Sequence, residues 1–195
     1  MGDDRPYSRR LVLRSGGEAV VDQLAAGLGW PRRSESEGDQ DAWRPRQVDW
    51  YAGPGIALHY LEDLLTDLTY VLVSGDDPDI VRVTTELVEA QLPVWTVDEL
   101  VDDARAQQDS EDLSYSLVRL GLGAPRACTQ AVLSIIVSGM SHASKDVREA
   151  AVWATSYQPW PEYVPPLQQL LAREPDADLA QTIRNLLDEF TEALA

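Results

Sequence analysis

The 195-residue chain offers few side chains of the types that do chemistry: two histidines, His59 and His142, and a single cysteine, Cys128. A zinc site needs three or four converging ligands, and neither H-E-x-x-H nor C-x-x-C occurs. Cys128 opens an apolar run, where a helix start would favour a thiolate. The nearest histidine, His142, stands at the far end of that run, about 20 Å away at helical rise. A Cys–His pair is therefore not expected, and Cys128 reads as a small buried residue. There is no G-x-S-x-G element. Gly121-Leu122-Gly123-Ala124-Pro125 lacks the spacing and the lysine of a phosphate loop and reads as a helix end with a proline stop.

Carboxylates come in adjacent pairs: Glu62-Asp63, Asp76-Asp77, Asp98-Glu99 and Asp102-Asp103. Neighbours on a helix diverge, so helix caps and solvated faces account for them. Asp76-Asp77-Pro78-Asp79 has neither the glycine nor the final glutamate of a calcium loop. The expectation is a non-enzymatic protein with no catalytic, cofactor-binding or metal-ligating residues. An enzyme would require Cys128, His59 or a carboxylate pair to meet a second such group within hydrogen-bond reach, partly buried.

The candidate binding residues lie elsewhere. Trp153, Tyr157, Trp160 and Tyr163 fall within eleven residues, flanked by Glu149 and Glu162. Such a cluster either packs a corner between helices or forms an exposed aromatic hot spot for a protein partner. Trp43, Trp50 and Tyr51 form a weaker cluster of the same kind.

Charge narrows the partners. The net charge is −17. Residues 1–48 hold eight arginines against eight acidic residues, so the whole surplus lies in residues 49–195. An acidic surface repels nucleic acid and anionic lipid and suits a basic protein. No apolar run approaches the roughly 18 residues of a membrane span, and the start of the chain lacks the apolar core of a secretory signal. A single cysteine allows no internal disulfide, so a cytoplasmic location is expected.

The elements that must position these residues divide the chain in two. Residues 1–75 read as a small mixed α/β unit: a strand at "RRLVLRS", a helix at "EAVVDQLAAGLGW", then three strands at "RQVDWYAG", "IALHYLE" and "LTYVLVSG". The polar stretch 31–42 has no apolar anchor and reads as a mobile loop. A rival reading exists for 58–72, because Leu58, Leu61, Leu65, Leu68 and Leu72 carry helical spacing. Tyr60, Tyr70, Val71 and Val73 favour strands.

Residues 76–195 read as paired helices. Acidic turns followed by an aliphatic residue recur at Ile80, Leu113, Val147 and Leu179, a period near 33. Thr96 and Glu99 form a capping box. "CTQAVLSIIVSGM" is apolar nearly all round and reads as a buried inner helix. Pro165 and Pro166 fit only a first helical turn.

Asp146-Val147-Arg148 with Ala151 resembles the HEAT repeat, in particular its short bacterial form, whose D-x-x-V-R-x-x-A pattern opens one helix of each pair. The resemblance covers units 109–142 and 143–174, with 175–195 as a terminal cap. Elsewhere the pattern departs: Arg82 comes one position late, and Arg184 later still. The resemblance implies an α+β protein, a mixed N-terminal unit followed by a HEAT-like α-solenoid of helical pairs, acting as an adaptor or scaffold in protein binding. The alternative is an acidic inhibitor or immunity protein that blocks a basic enzyme such as a nuclease toxin. HEAT-like enzymes that hold iron use His-Glu pairs, which this chain lacks.

Overall fold

The computed structural model describes residues 5–39, 42, 44–64 and 66–193. The chain is mixed α/β and divides into two compact units, Met1–Trp95 and Thr96–Ala195.

The first unit is built on a five-stranded antiparallel sheet: β1 (Leu11–Val12), β2 (Arg32–Ser36), β3 (Gln47–Gly53), β4 (Ile56–Glu62) and β5 (Thr69–Gly75), in the order β1-β5-β4-β3-β2. Alternation sets the two faces. Val48 and Trp50 of β3, Ile56, Leu58 and Tyr60 of β4, and Val71 and Val73 of β5 point to one side. Helix α1 (Gly17–Leu28) adds Val21 and Ala25 to that core, and α2 (Pro78–Gln91) adds Val81 and Val88. Because α2 packs there, it belongs with the sheet, and the units part at Trp95/Thr96 rather than at residue 75.

The leucines of helical spacing lie on strands and their connection. Leu58 faces the core and Leu72 the other side, and His59 pairs with Leu72 across β4 and β5. Leu65 lies outside the described residues.

The stretch expected to be a mobile loop contains strand β2, paired with β3 from Arg32↔Trp50 to Ser36↔Gln47. Its five residues are all exposed, so it leaves no trace in hydrophobic periodicity. Its partners are backbone groups and charges: Arg32 reaches Glu18 at 2.5 Å, and Arg46 meets Glu35 at 2.7 Å, Glu18 at 2.7 Å and Glu62 at 3.1 Å. A charged edge also discourages pairing with another chain. Residues 40 and 41 of that stretch lie outside the described residues.

The second unit holds α3 (Val97–Ala106), α4 (Ser110–Leu122), α5 (Gln130–Gly139), α6 (Lys145–Tyr157), a 3-10 turn (Pro161–Tyr163), α7 (Val164–Leu171) and α8 (Ala177–Ala193). The expected capping box closes at Thr96 and Glu99, and prolines occupy the first turn of α7. Helix α5 is less buried than its composition predicts. Val132, Ile136 and Gly139 are interior, while Ser134 and Ser138, four apart, keep one stripe in solvent. Helices α4 and α6 approach so closely that a methyl group on Gly121 would meet the backbone of Ala154. Arg148 donates from Nε and Nη2 to the two oxygens of buried Glu174, at 2.7 and 2.8 Å. It also donates from Nη1 to the carbonyls of His142 and Ala143, so α6 is tied both to the turn before it and to the turn before α8. The guanidinium holds the Glu174 carboxyl below its ordinary value.

Candidate functional site

The aromatic residues read from the sequence do not form a surface patch. Trp160 and Tyr163 are 3% and 1% exposed. They stack at 5.2 Å, and the Trp160 indole donates to the Arg126 carbonyl at 3.1 Å. They pack the corner before α7, which is the other reading of their spacing. Trp153, Tyr157 and Glu149 are half-buried, and Glu162 is exposed. Cys128 is half-buried; burial and the nearby Glu162 both push its thiol up, the opposite of an activated nucleophile. His142 accepts from the backbone N–H of Ser144. Trp43 lies outside the described residues, Trp50 is core and Tyr51 is exposed.

The built site lies on the sheet face away from α1 and α2. Strand register lines up Ser34, Asp49 and His59 as directly opposed residues across β2, β3 and β4. Ser74 on β5 sits two residues beyond the partner of His59. The row is continuously hydrogen-bonded. Ser34 Oγ donates to Asp49 Oδ2 at 2.6 Å, and Gln47 Nε2 donates to Asp49 Oδ1 at 2.6 Å. His59 Nδ1 lies 2.7 Å from Asp49 Oδ1, and His59 Nε2 lies 2.7 Å from Ser74 Oγ.

Burial would push the Asp49 carboxyl up, but the hydrogen bonds from His59, Ser34 and Gln47 outweigh it and hold the group at about 2. Asp49 is therefore ionised at neutral pH. An ionised partner at Nδ1 places the ring hydrogen there, so Nε2 of neutral His59 accepts from the Ser74 hydroxyl. Of the groups singled out in the sequence, His59 meets neither Cys128 nor one of the adjacent carboxylate pairs; its partner is Asp49, a lone strand carboxylate with no sequence signal.

The row opens into a recess of about 350 Å³ whose lining includes Arg5, Tyr7, Arg10, His59, Tyr70 and Ser74. Leu61 and Leu72 give it an apolar floor. The Arg10 guanidinium lies over the Tyr70 ring at 5.7 Å, and Arg5 pairs with Asp76 at 3.5 Å at the exposed rim. The lining thus carries two arginines, one of them paired with a carboxylate outside it.

The depressed Asp49 group has a pH signature. A carboxyl whose folded value lies below its unfolded one stabilises above the unfolded value and loses that contribution as pH falls through the folded one. For Asp49 the window runs from about 4 down to about 2. The stability advantage of wild type over Asp49→Asn is expected to shrink by about 2 kcal/mol across it, measured by urea unfolding of both proteins at pH 5 and pH 2.

Among the described residues no group of three or more His, Cys, Asp or Glu is arranged to hold a metal ion, and no helix is long and apolar enough to cross a membrane. No family model matches the chain, and no match is found among curated proteins or solved structures.

Proposed function

We propose that the protein is a protein–protein interaction module whose partner docks on the outer face of the sheet, and that its helical unit is a HEAT-like array. The observation that carries the docking site is the make-up of that face. Tyr7 and Tyr51 are each 41% exposed there, and Tyr7 lines a recess with Tyr70, Arg5 and Arg10. Tyrosine and arginine are enriched at interface hot spots, tyrosine because it buries large area for little lost rotamer freedom and arginine because its planar guanidinium offers several donors. No helix of the sheet unit covers this side, since α1 and α2 both enter the opposite core. For the HEAT-like reading the support is the close α4–α6 pairing and the place of Arg148, which links α6 to the turn before α8.

The reading as an inhibitor of a basic enzyme has less support. The first unit holds nine basic and 17 acidic residues, the second seven and 16, giving −8 and −9. Neither unit is singled out as the acidic docking surface.

The test is capture of a partner by tagged full-length protein, wild type beside Tyr7→Ala, Tyr51→Ala and Trp153→Ala. The expected result is a partner retained by Trp153→Ala and weakened about 30-fold by either tyrosine substitution, which is about 2 kcal/mol. A partner held equally by both tyrosine variants would move the site off the sheet. No saturable partner would remove the reading.

A further inference from the structure

We propose that Ser74 is an acyl-accepting nucleophile activated by His59, with Asp49 as its positioning residue, and that the recess hydrolyses a small carboxylic ester. The proposal goes beyond partner binding and does not depend on it.

The geometry is that of an activated hydroxyl. A serine hydroxyl is a weak nucleophile unless an adjacent base takes its proton in the attack, and that base must itself be oriented by a third group. Here the nucleophile–base and base–orienter distances are both 2.7 Å. Asp49 is fixed in turn by Ser34 and Gln47, so the imidazole is held from behind in one tautomer. The hydrogen bonds cross four adjacent strands, whose register leaves the side chains little freedom to drift.

The chemistry balances with water as the only co-reactant. Ser74 Oγ bonds to the ester carbonyl carbon as its proton passes to His59 Nε2, and the carbonyl π pair moves onto oxygen. The returning pair expels the alcohol, which leaves with the proton from Nε2, so Ser74 carries the acyl group. Water then attacks the acyl carbon, gives a proton to Nε2, and displaces Ser74 Oγ, which takes that proton back. The products are one carboxylic acid and one alcohol.

The main chain beside Ser74 is committed to pairing: Ser74 faces Ala57 on one side and Tyr7 on the other, and the Gly75 N–H donates to the Pro6 carbonyl. The oxyanion is therefore met by side chains. Arg5 and Arg10 line the recess into which it projects, and cationic donors placed where charge develops are the general device for such a step. The recess size limits the ester to a small molecule.

The test uses a fluorophosphonate, which phosphonylates activated serines, with peptide mapping of the labelled full-length protein. The expected result is label on Ser74 alone, absent in Ser74→Ala and slowed at least about 100-fold in His59→Ala. The wild-type experiment stands even where a variant is unstable. A folded wild type that takes no label on Ser74 overturns the proposal. So does labelling at an equal rate in a folded His59→Ala, since a merely structural histidine would leave the hydroxyl as reactive as before. Hydrolysis of p-nitrophenyl acetate that is lost in Ser74→Ala completes the support; hydrolysis unchanged in that variant counts against it.

Discussion

Gly121→Ala is expected to destabilise the helical unit by about 3 kcal/mol. The sign is the opposite of the usual one, because alanine in a helix interior is favoured over glycine by about 1 kcal/mol. The difference lies in what the methyl group meets. A Cβ on Gly121 of α4 would stand 2.4 Å from the Ala154 carbonyl oxygen, 2.6 Å from its Cα and 2.7 Å from its Cβ. Two of these are backbone atoms of α6 and cannot rotate away, so the helices must separate. Interior packing is dense enough that such a shift propagates to neighbouring side chains. Gly139 shows the milder case: its nearest neighbour would be the end of the Leu117 side chain at 2.8 Å, which can give way. Gly27 of α1 is the control. Nothing lies within 4 Å of its would-be Cβ, so Gly27→Ala is expected to gain up to about 1 kcal/mol. Urea unfolding followed by far-UV circular dichroism checks both signs on one scale.

The helices were legible in the sequence because their signals are local. The Thr96–Glu99 box spans three residues and Pro165-Pro166 mark a first turn, so neither depends on the rest of the fold. The strands of the sheet were legible to the degree that they have a core side. Trp50 and Val48 alternate with polar residues on β3, and the pattern survives. Strand β2 has no core side, so its pairing is visible only from β3. The leucines at 58–72, spaced 3, 4, 3, 4, fit the helical period and not the strand one, and the strand reading is carried by Tyr60, Tyr70, Val71 and Val73. What decided between them was pairing with β5, a non-local fact.

The candidate site was illegible for the same reason. Ser34, Asp49, His59 and Ser74 are far apart in the chain, and each is an ordinary residue for a strand face. Only the register of four strands sets their side chains in one row. Conversely, Trp153, Tyr157, Trp160 and Tyr163 are close in sequence, and closeness suggested a patch. Aromatic residues beside a proline turn serve a packed corner equally well, and burial separates the two uses. Sequence proximity is thus a poor guide to a site on a sheet and a good one to a helix cap.

Val147→Asp is expected to unfold most of the helical unit. Val147 is 0% exposed in the first turn of α6. A carboxyl placed there must lose its hydration or stay protonated, and either costs several kcal/mol without a partner. One effect opposes this. An acidic residue in a first helical turn gains up to about 1 kcal/mol from the helix dipole. That gain is smaller than the burial penalty, and the lost valine contacts add to the penalty. A unit of this size has about 5–10 kcal/mol to lose, so a penalty near 5 leaves it marginal at 25 °C and unfolded at 37 °C. Two comparisons isolate the cause. Val147→Ala removes the same contacts without adding charge and is expected to cost about 2 kcal/mol. Val83→Asp places the same charge on α2 at a residue that is 54% exposed and is expected to change stability by less than about 0.5 kcal/mol. Thermal unfolding of the three proteins at pH 7 reads the ranking. If Val147→Asp melted with Val83→Asp, the register that places Val147 inside the helix packing would be wrong.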